Sequence, residues 1–370
     1  MLHTDSPNPD APVAPPIRRR WLGSGALIAA GLFILGRLAA EPFRTLGHYD
    51  GRAMEAFAAV EHYGLRKKAV DPQVAFFGSS QTFWGLVPEV VGRASGHDPK
   101  ELRVLGVEAG TPFDMWNLIR RNPEYFDDLK LAVVEVNPVM MQAVKEGDPR
   151  LQHSISQYAT LEERNLLHYR HERMKQQAEW LLPLTSARHS LRSVFLALAD
   201  PVEGAELYPF PEGRIHPAAD WYMQNAGAVT KRSMVPAEVA ARRLVGSKGW
   251  KASALQDLCL KKVLAWMEEH EIPVLIHQFP LHPEVVDLIR SDTQFHHCYT
   301  QYSAYVETLR PKAAGMVRLL HPDECGAGKS GMADRMHLNE SGASYYSLHL
   351  GENIRTLMDP VTADKVRDDL

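Results

Sequence analysis

The sequence predicts an α/β fold, a parallel sheet sandwiched between helices. Short apolar runs rich in Val, Leu and Ile recur at 73–77, 103–107, 131–136, 273–277 and 316–320. Helical patterns separate them, and polar residues collect just beyond their ends. Strands buried on both faces read as continuous apolar runs. Strands alternating with helices build a three-layer α/β/α sandwich around a parallel sheet, here of five strands.

At the N-terminus, residues 1–17 are rich in Pro, Asp and Ala and read as a disordered tail. Arg18, Arg19 and Arg20 then precede a stretch from Trp21 to Ala40 that is apolar or small apart from Ser24 and Arg37. Twenty helical residues span about 30 Å, enough for a bilayer core. Basic residues before the span place residues 1–20 in the cytoplasm and the rest outside. The competing reading is a cleaved signal peptide ending near Leu38-Ala39-Ala40; the length of the run and Arg37 favour an anchor. Residues 41–70 form a spacer.

The core is expected over 71–140 and 250–360. Within it, 254–269 is the clearest helix: Leu255, Leu258, Val263, Trp266 and Met267 recur at helical spacing, with Lys261, Lys262 and Glu268 opposite. The interval 141–249 contains no convincing core strand. It is expected to be a mainly helical insertion, with one long helix over 161–182, another over 190–198, and a proline-rich loop over 201–221. Two readings stay open for it, a lid or partner-binding surface over the sheet and a packed subdomain with no part in the chemistry.

Composition narrows the function. The 370 residues hold 41 basic and 45 acidic side chains, a formal charge of −4, which gives no basic footprint for nucleic acid. Cys259, Cys298 and Cys325 lack metal-ligand spacing. Cys298 and Cys325 are candidates for a disulfide, whereas Cys259 falls in a helical pattern. His296-His297 and the pair His277/His282 lack the carboxylate or Cys that would complete a metal set, although His277 and His282 follow a strand and are candidates to line a pocket. Gly326-Ala327-Gly328-Lys329-Ser330 resembles a phosphate loop, but Asp323 stands where that motif needs Gly. No cofactor is expected.

The residues with chemistry cluster where open parallel sheets bind ligands, beyond the carboxyl ends of the strands. Ser80 follows the first strand within Gly78-Ser79-Ser80-Gln81-Thr82. Gly106 ends the second and Asn137 the third. Asp334 and His337 follow the fifth, in Asp334-Arg335-Met336-His337-Leu338-Asn339. A serine hydroxyl is a weak nucleophile until a base removes its proton. His337 can be that base, and Asp334 can hold its other ring nitrogen. The backbone N–H groups of Ser80 and Gly106 and the side-chain amide of Asn137 are the candidate oxyanion donors. Against these stand plainer readings: a helix cap for the serine turn, a surface pair for Asp334 and His337, close packing for Gly106, and a loop cap for Asn137.

On these segments the chain resembles the SGNH (GDSL-type) hydrolases. Gly78-Ser79-Ser80-Gln81-Thr82 is similar to the first block, with Ser80 as nucleophile. Val104-Leu105-Gly106 and the residues to Pro112 resemble the second, Asn137 in Val134-Glu135-Val136-Asn137-Pro138 the third, and Asp334-x-x-His337 the fifth. Three departures stand out: Ser79 replaces the first block's Asp, Val104 the usual Asn, and Val-Asn-Pro the usual Gly-x-Asn-Asp. The resemblance implies a flavodoxin-like sheet and a serine esterase or O-acyltransferase. With the N-terminal span it is similar to membrane-anchored members that assist acyl transfer to cell-envelope polymers beside membrane-bound O-acyltransferases. That implies a single-pass protein of a bacterial inner membrane with its catalytic domain on the periplasmic or extracellular side, acting on a glycan or another acyl ester. The alternatives are a non-catalytic scaffold of the same fold that binds a glycan or the acyltransferase, and a lipid or thioester hydrolase.

Overall fold

A computed structural model describes residues 30–35, 57, 60, 61, 65, 71–181, 234–246, 248–309, 317–320 and 328–358. The expected anchor at 21–40 falls outside them except for 30–35, which are helical. Among the described residues no helix is long and apolar enough to cross a membrane. The helix expected over 190–198, the loop over 201–221 and Cys325 also lie outside them.

Strands and helices alternate along the core. β1 (Val74–Gly78) leads into α1 (Ser80–Gly85) and α2 (Pro88–Ser95), β2 (Leu102–Gly106) into α3 (Pro112–Arg121), and then comes β3 (Leu131–Glu135). The insertion contributes α4 (Pro149–Tyr158), α5 (Leu161–Asn165), α6 (Arg170–Leu181) and α7 (Ala237–Val245). The chain returns through α8 (Ala254–Glu269), β4 (Val274–His277), α9 (Pro283–Ser291), α10 (Thr293–Glu307), β5 (Val317–Leu320) and α11 (Glu340–Met358). The strands are all parallel, in the order β2-β1-β3-β4, with β5 beside β4 so that Val274 faces Val317.

Period-two alternation divides the sheet's side chains between two cores. Ala75, Phe77, Ala132, Val134 and Ile276 face α3, α7, α8, α9 and α10, where Leu118, Leu244, Val263, Ile289 and Tyr302 are buried. Val74, Phe76, Leu131, Val133 and Leu275 face the other way, against Val91 of α2 and Tyr346, Leu350 and Ile354 of α11. Helices therefore cover both faces. Each fully buried aliphatic or aromatic side chain contributes about 1.5–3 kcal/mol. The alternation also points Glu135 and His277, neighbours in register, toward the α1–α11 side.

The expected helix over 161–182 is two helices. Thr160 and Glu163 form a capping box that starts α5. The chain then turns so that Leu167 is buried and the backbone N–H of His168 donates to the Glu146 carboxylate at 2.5 Å. A continuous helix would need that N–H for its own ladder. The described part of the insertion packs as a small second core, in which Leu151, Ile155 and Ala159 meet Phe113 of α3 and Leu255 and Cys259 of α8. α7 belongs to the main core instead, through Ala240, Ala241, Leu244 and Val245. Cys259 and Cys298 are free, buried thiols. Burial raises the Cys259 thiol above its ordinary value.

Candidate active site

β1 leads into the serine turn. At Gly78 a Cβ would run into the side chains of Thr82 and Glu135, so only glycine lets the strand end there. Ser79 caps α1, its Oγ accepting from the Gln81 N–H at 3.2 Å. Ser80 is the first residue of the helix, half-buried, and its N–H is one of the first-turn donors that a helix leaves unmatched. Among the described residues no group accepts it.

The segment after β5 carries Asp334 and His337. The Met332–Leu338 bridge and the Ala333 N–H bond to the His337 carbonyl (2.8 Å) close a tight loop around Asp334–His337. Asn339 locks the loop to α11, donating to the Ser330 carbonyl at 2.6 Å and accepting from the Gly342 N–H at 3.0 Å. A Cβ at Gly342 would collide with the Gly331 backbone, so this glycine lets the helix dock on the loop. His337 Nε2 then lies 3.0 Å from Ser80 Oγ, and Nδ1 lies 2.8 Å from Asp334 Oδ2. Asp334 Oδ1 accepts the backbone N–H groups of Met336 at 2.7 Å and His337 at 2.8 Å. Burial alone would raise the Asp334 carboxyl. The hydrogen bond and charge of His337, with the two backbone donors, outweigh it and hold the carboxyl at about 2.

A carboxylate that sequence reasoning did not single out sits beneath both. Glu135 is fully buried at the end of β3. Its Oε2 accepts from Ser79 N–H at 2.8 Å, Thr82 N–H at 3.2 Å and Thr82 Oγ1 at 2.7 Å. Its Oε1 accepts from Ser79 Oγ at 2.7 Å and Asn137 Nδ2 at 2.5 Å. Asn137 Nδ2 also donates to Gln81 Oε1 at 3.2 Å, and Gln81 Nε2 donates to the Met336 carbonyl at 2.5 Å. Asn137 is thus brought to the serine turn, with both amide hydrogens engaged. A glutamate inside a run otherwise buried and apolar was the available signal, since unpaired acids are almost never fully buried.

Gly106 has a packing role. A Cβ there would come within 2.5 Å of Phe83 N and 2.8 Å of the Ser79 carbonyl, so its absence lets α1 lie on β2. The Val107 N–H donates to Gly78 in β1 at 3.0 Å, and alternation along the strand turns the Gly106 N–H away from β1. The following turn holds Ala109 at φ 59°, with the Gly110 N–H on the Val107 carbonyl at 2.7 Å. A non-glycine residue at positive φ is uncommon and concentrates at functional sites. Thr111 and Asp114 then cap α3. Burial raises the Asp114 carboxyl to about 6 against the pull of its Thr111 hydrogen bonds. The fold therefore binds this proton more tightly than the unfolded chain does. Its contribution is complete below about pH 4 and is lost as the pH rises through about 6. Urea titrations of Asp114→Asn should show a stability–pH curve flattened over that window, by on the order of 3 kcal/mol.

The two histidines expected to line the pocket have other places. His277 is fully buried between Phe279 and Tyr346, with Nδ1 2.7 Å from the Tyr346 hydroxyl, and burial lowers it to about 3. His282 is buried too. It caps α9 and lies 2.8 Å from the Arg335 guanidinium; burial and that charge make the His282 imidazole harder to protonate. Among the described residues no group of His, Cys, Asp or Glu could hold a metal.

Arg335, between Asp334 and His337, anchors their loop. It pairs with Glu284 at 2.6 Å and donates to the Val235 carbonyl, just before α7, at 3.0 Å. In Arg335→Ala the loop loses both anchors. We expect kcat for p-nitrophenyl acetate to fall about 10- to 100-fold, since displacements near 1 Å cost that much, with circular dichroism unchanged.

No family model and no curated protein matches this sequence.

Proposed function

We propose that the chain is an SGNH-type serine esterase or O-acyltransferase, with a flavodoxin-like five-stranded sheet in a three-layer α/β/α sandwich. The observation that carries this reading is the unbroken chain Ser80 Oγ–His337 Nε2 (3.0 Å) and His337 Nδ1–Asp334 Oδ2 (2.8 Å) at the carboxyl end of the sheet. Ser80 follows β1, and Glu135 ends β3 with Asn137 just beyond it; from these adjacent strands the chain leaves in opposite directions, where such sheets bind ligands.

His337 Nε2 takes the Ser80 proton as Oγ bonds to the acyl carbon. The oxyanion that forms is met by the Ser80 N–H and by the Asn137 hydrogen now resting on Gln81 at 3.2 Å; the Gly106 N–H, expected as a third donor, points away from β1 and takes no part. The intermediate collapses to acyl-Ser80 as His337 returns the proton to the leaving alkoxide. Water or a glycan hydroxyl, deprotonated by His337, then attacks the ester and restores Ser80. We assign the acyl group as acetyl and the substrate as a cell-envelope or exported glycan.

Residues 21–40 would anchor this domain on the outer side of a bacterial inner membrane, within reach of a membrane-bound O-acyltransferase. Exposed Leu32, Phe33, Ile34 and Leu35 in the helical stretch support an apolar surround there. These assignments of substrate, partner and place rest on the resemblance.

The test is the intact mass of the full-length protein in detergent after exposure to p-nitrophenyl acetate, beside Ser80→Ala. An acetyl adduct or steady turnover that requires Ser80 supports the reading. Neither, from folded protein, overturns it.

A further inference from the structure

Glu135 receives five hydrogen bonds, two from Ser79, two from Thr82 and one from Asn137. All five partners donate, which is the pattern of a carboxylate, an acceptor at both oxygens. Among the described residues no lysine or arginine pairs with it, so this buried group is matched by hydrogen bonds alone. Its partners lie on both sides of the reacting atom. Ser79 immediately precedes Ser80, Thr82 lies in the same helical turn, and Asn137 comes from the next strand.

We propose that Glu135 is a positioning residue. It clamps the Ser80 turn and the Asn137 amide into one rigid unit, so that the nucleophile and an oxyanion donor keep their spacing through the acylation step. Before the oxyanion forms, Gln81 extends the unit to the loop of His337, accepting from Asn137 at 3.2 Å and donating to the Met336 carbonyl, one residue before His337. The fold supplies, from position 135, the carboxylate that the turn lacks at Ser79. This inference rests on the serine-enzyme reading above.

The experiment compares wild type, Glu135→Gln, Thr82→Val and Thr82→Ser in full-length protein with p-nitrophenyl acetate. Burst-phase acylation rate, kcat, KM and thermal midpoint are recorded, with assays well below every midpoint. A glutamine must set an NH2 against donors. At Oε1 it would face Ser79 Oγ and Asn137, and at Oε2 it would face Ser79 N–H and both Thr82 donors. The smaller conflict is at Oε1, and it displaces the Asn137 amide. Acylation and kcat should therefore fall about 10²–10³-fold, with KM within about twofold.

Thr82→Val removes one donor at nearly constant shape. It should slow acylation roughly 5- to 10-fold, and Thr82→Ser, which keeps the hydroxyl, should restore it. A residue that only supports the fold would move the midpoint without this split between kcat and KM and without the serine rescue. The proposal is overturned if Glu135→Gln acylates within twofold of wild type, or if the loss appears in KM. If Glu135→Gln fails to fold, the two Thr82 variants decide: equal acylation in Val and Ser overturns it. Turnover that is absent in wild type, or unchanged in Ser80→Ala, overturns the serine-enzyme reading first, and this inference falls with it.

Discussion

In Ser80→Ala the kcat for p-nitrophenyl acetate is expected to fall on the order of 10⁶-fold, the scale seen when a triad nucleophile is removed. The loss is this large because Ser80 Oγ is the group that His337 Nε2 meets, at 3.0 Å. Alanine leaves the base with no proton to take. The fold should hardly register the change. Ser79, not Ser80, caps α1 and bonds to Glu135, so the thermal midpoint should stay within the range of ordinary surface substitutions, about 0.5 kcal/mol. The residual rate should exceed that in water, because the Ser80 N–H and the substrate contacts survive the substitution. Non-additivity sharpens the test. Ser80→Ala/His337→Ala should be no slower than either single variant, since the two groups act in one proton transfer. Losses that multiplied would show two separate roles and break the triad.

Local pattern made the elements legible and long-range pairing hid the rest. The helix expected over 254–269 forms over Ala254–Glu269, because Ser253 caps it and Leu255, Val263 and Met267 are buried, while Leu258 and Trp266, expected beside them, are only half-buried. The first strand, expected at 73–77, is Val74–Gly78, displaced by one residue. The break between α5 and α6 was not legible, since its cause is a bond from His168 to Glu146, 22 residues away. Glu135 was hidden for the same reason. Its partners in the Ser79–Thr82 turn lie 53 and 56 residues away, and nothing in the spacing of β3 reveals them. Arg335 reaches Val235 across 100 residues. Ser80, Asp334 and His337 stood out because each carries reactive chemistry next to a readable element end. Asn137 was readable as a polar strand terminus, but the engagement of its amide with Glu135 and Gln81 was not.

Asp334→Asn should lower kcat about 10⁴-fold with little change in KM, and the geometry says why. Asp334 Oδ1 accepts two backbone N–H groups, from Met336 and His337. An asparagine keeps both only if its carbonyl oxygen takes that position. Its NH2 then replaces Oδ2 and points at His337 Nδ1 from 2.8 Å. Nδ1 must become the acceptor, so the ring proton moves to Nε2, the atom that has to remove the Ser80 proton. The base is present but in the wrong tautomer, and it faces no negative charge to stabilise the imidazolium. The carboxylate's own titration lies far from the working range. Its folded value of about 2 lies below the ordinary 3.8, so its contribution to stability is complete above about pH 4 and is lost as the pH falls through about 2. In the asparagine variant that acid-side loss should shrink, read as a smaller drop in thermal midpoint between pH 4 and pH 2. A high-pH rise in the variant's rate is also expected, as hydroxide takes over deprotonation of Ser80 from a base that can no longer accept the proton. If Asp334→Asn kept kcat within tenfold of wild type, Asp334 would be no more than a loop cap, and Ser80 and His337 would have to act as a dyad.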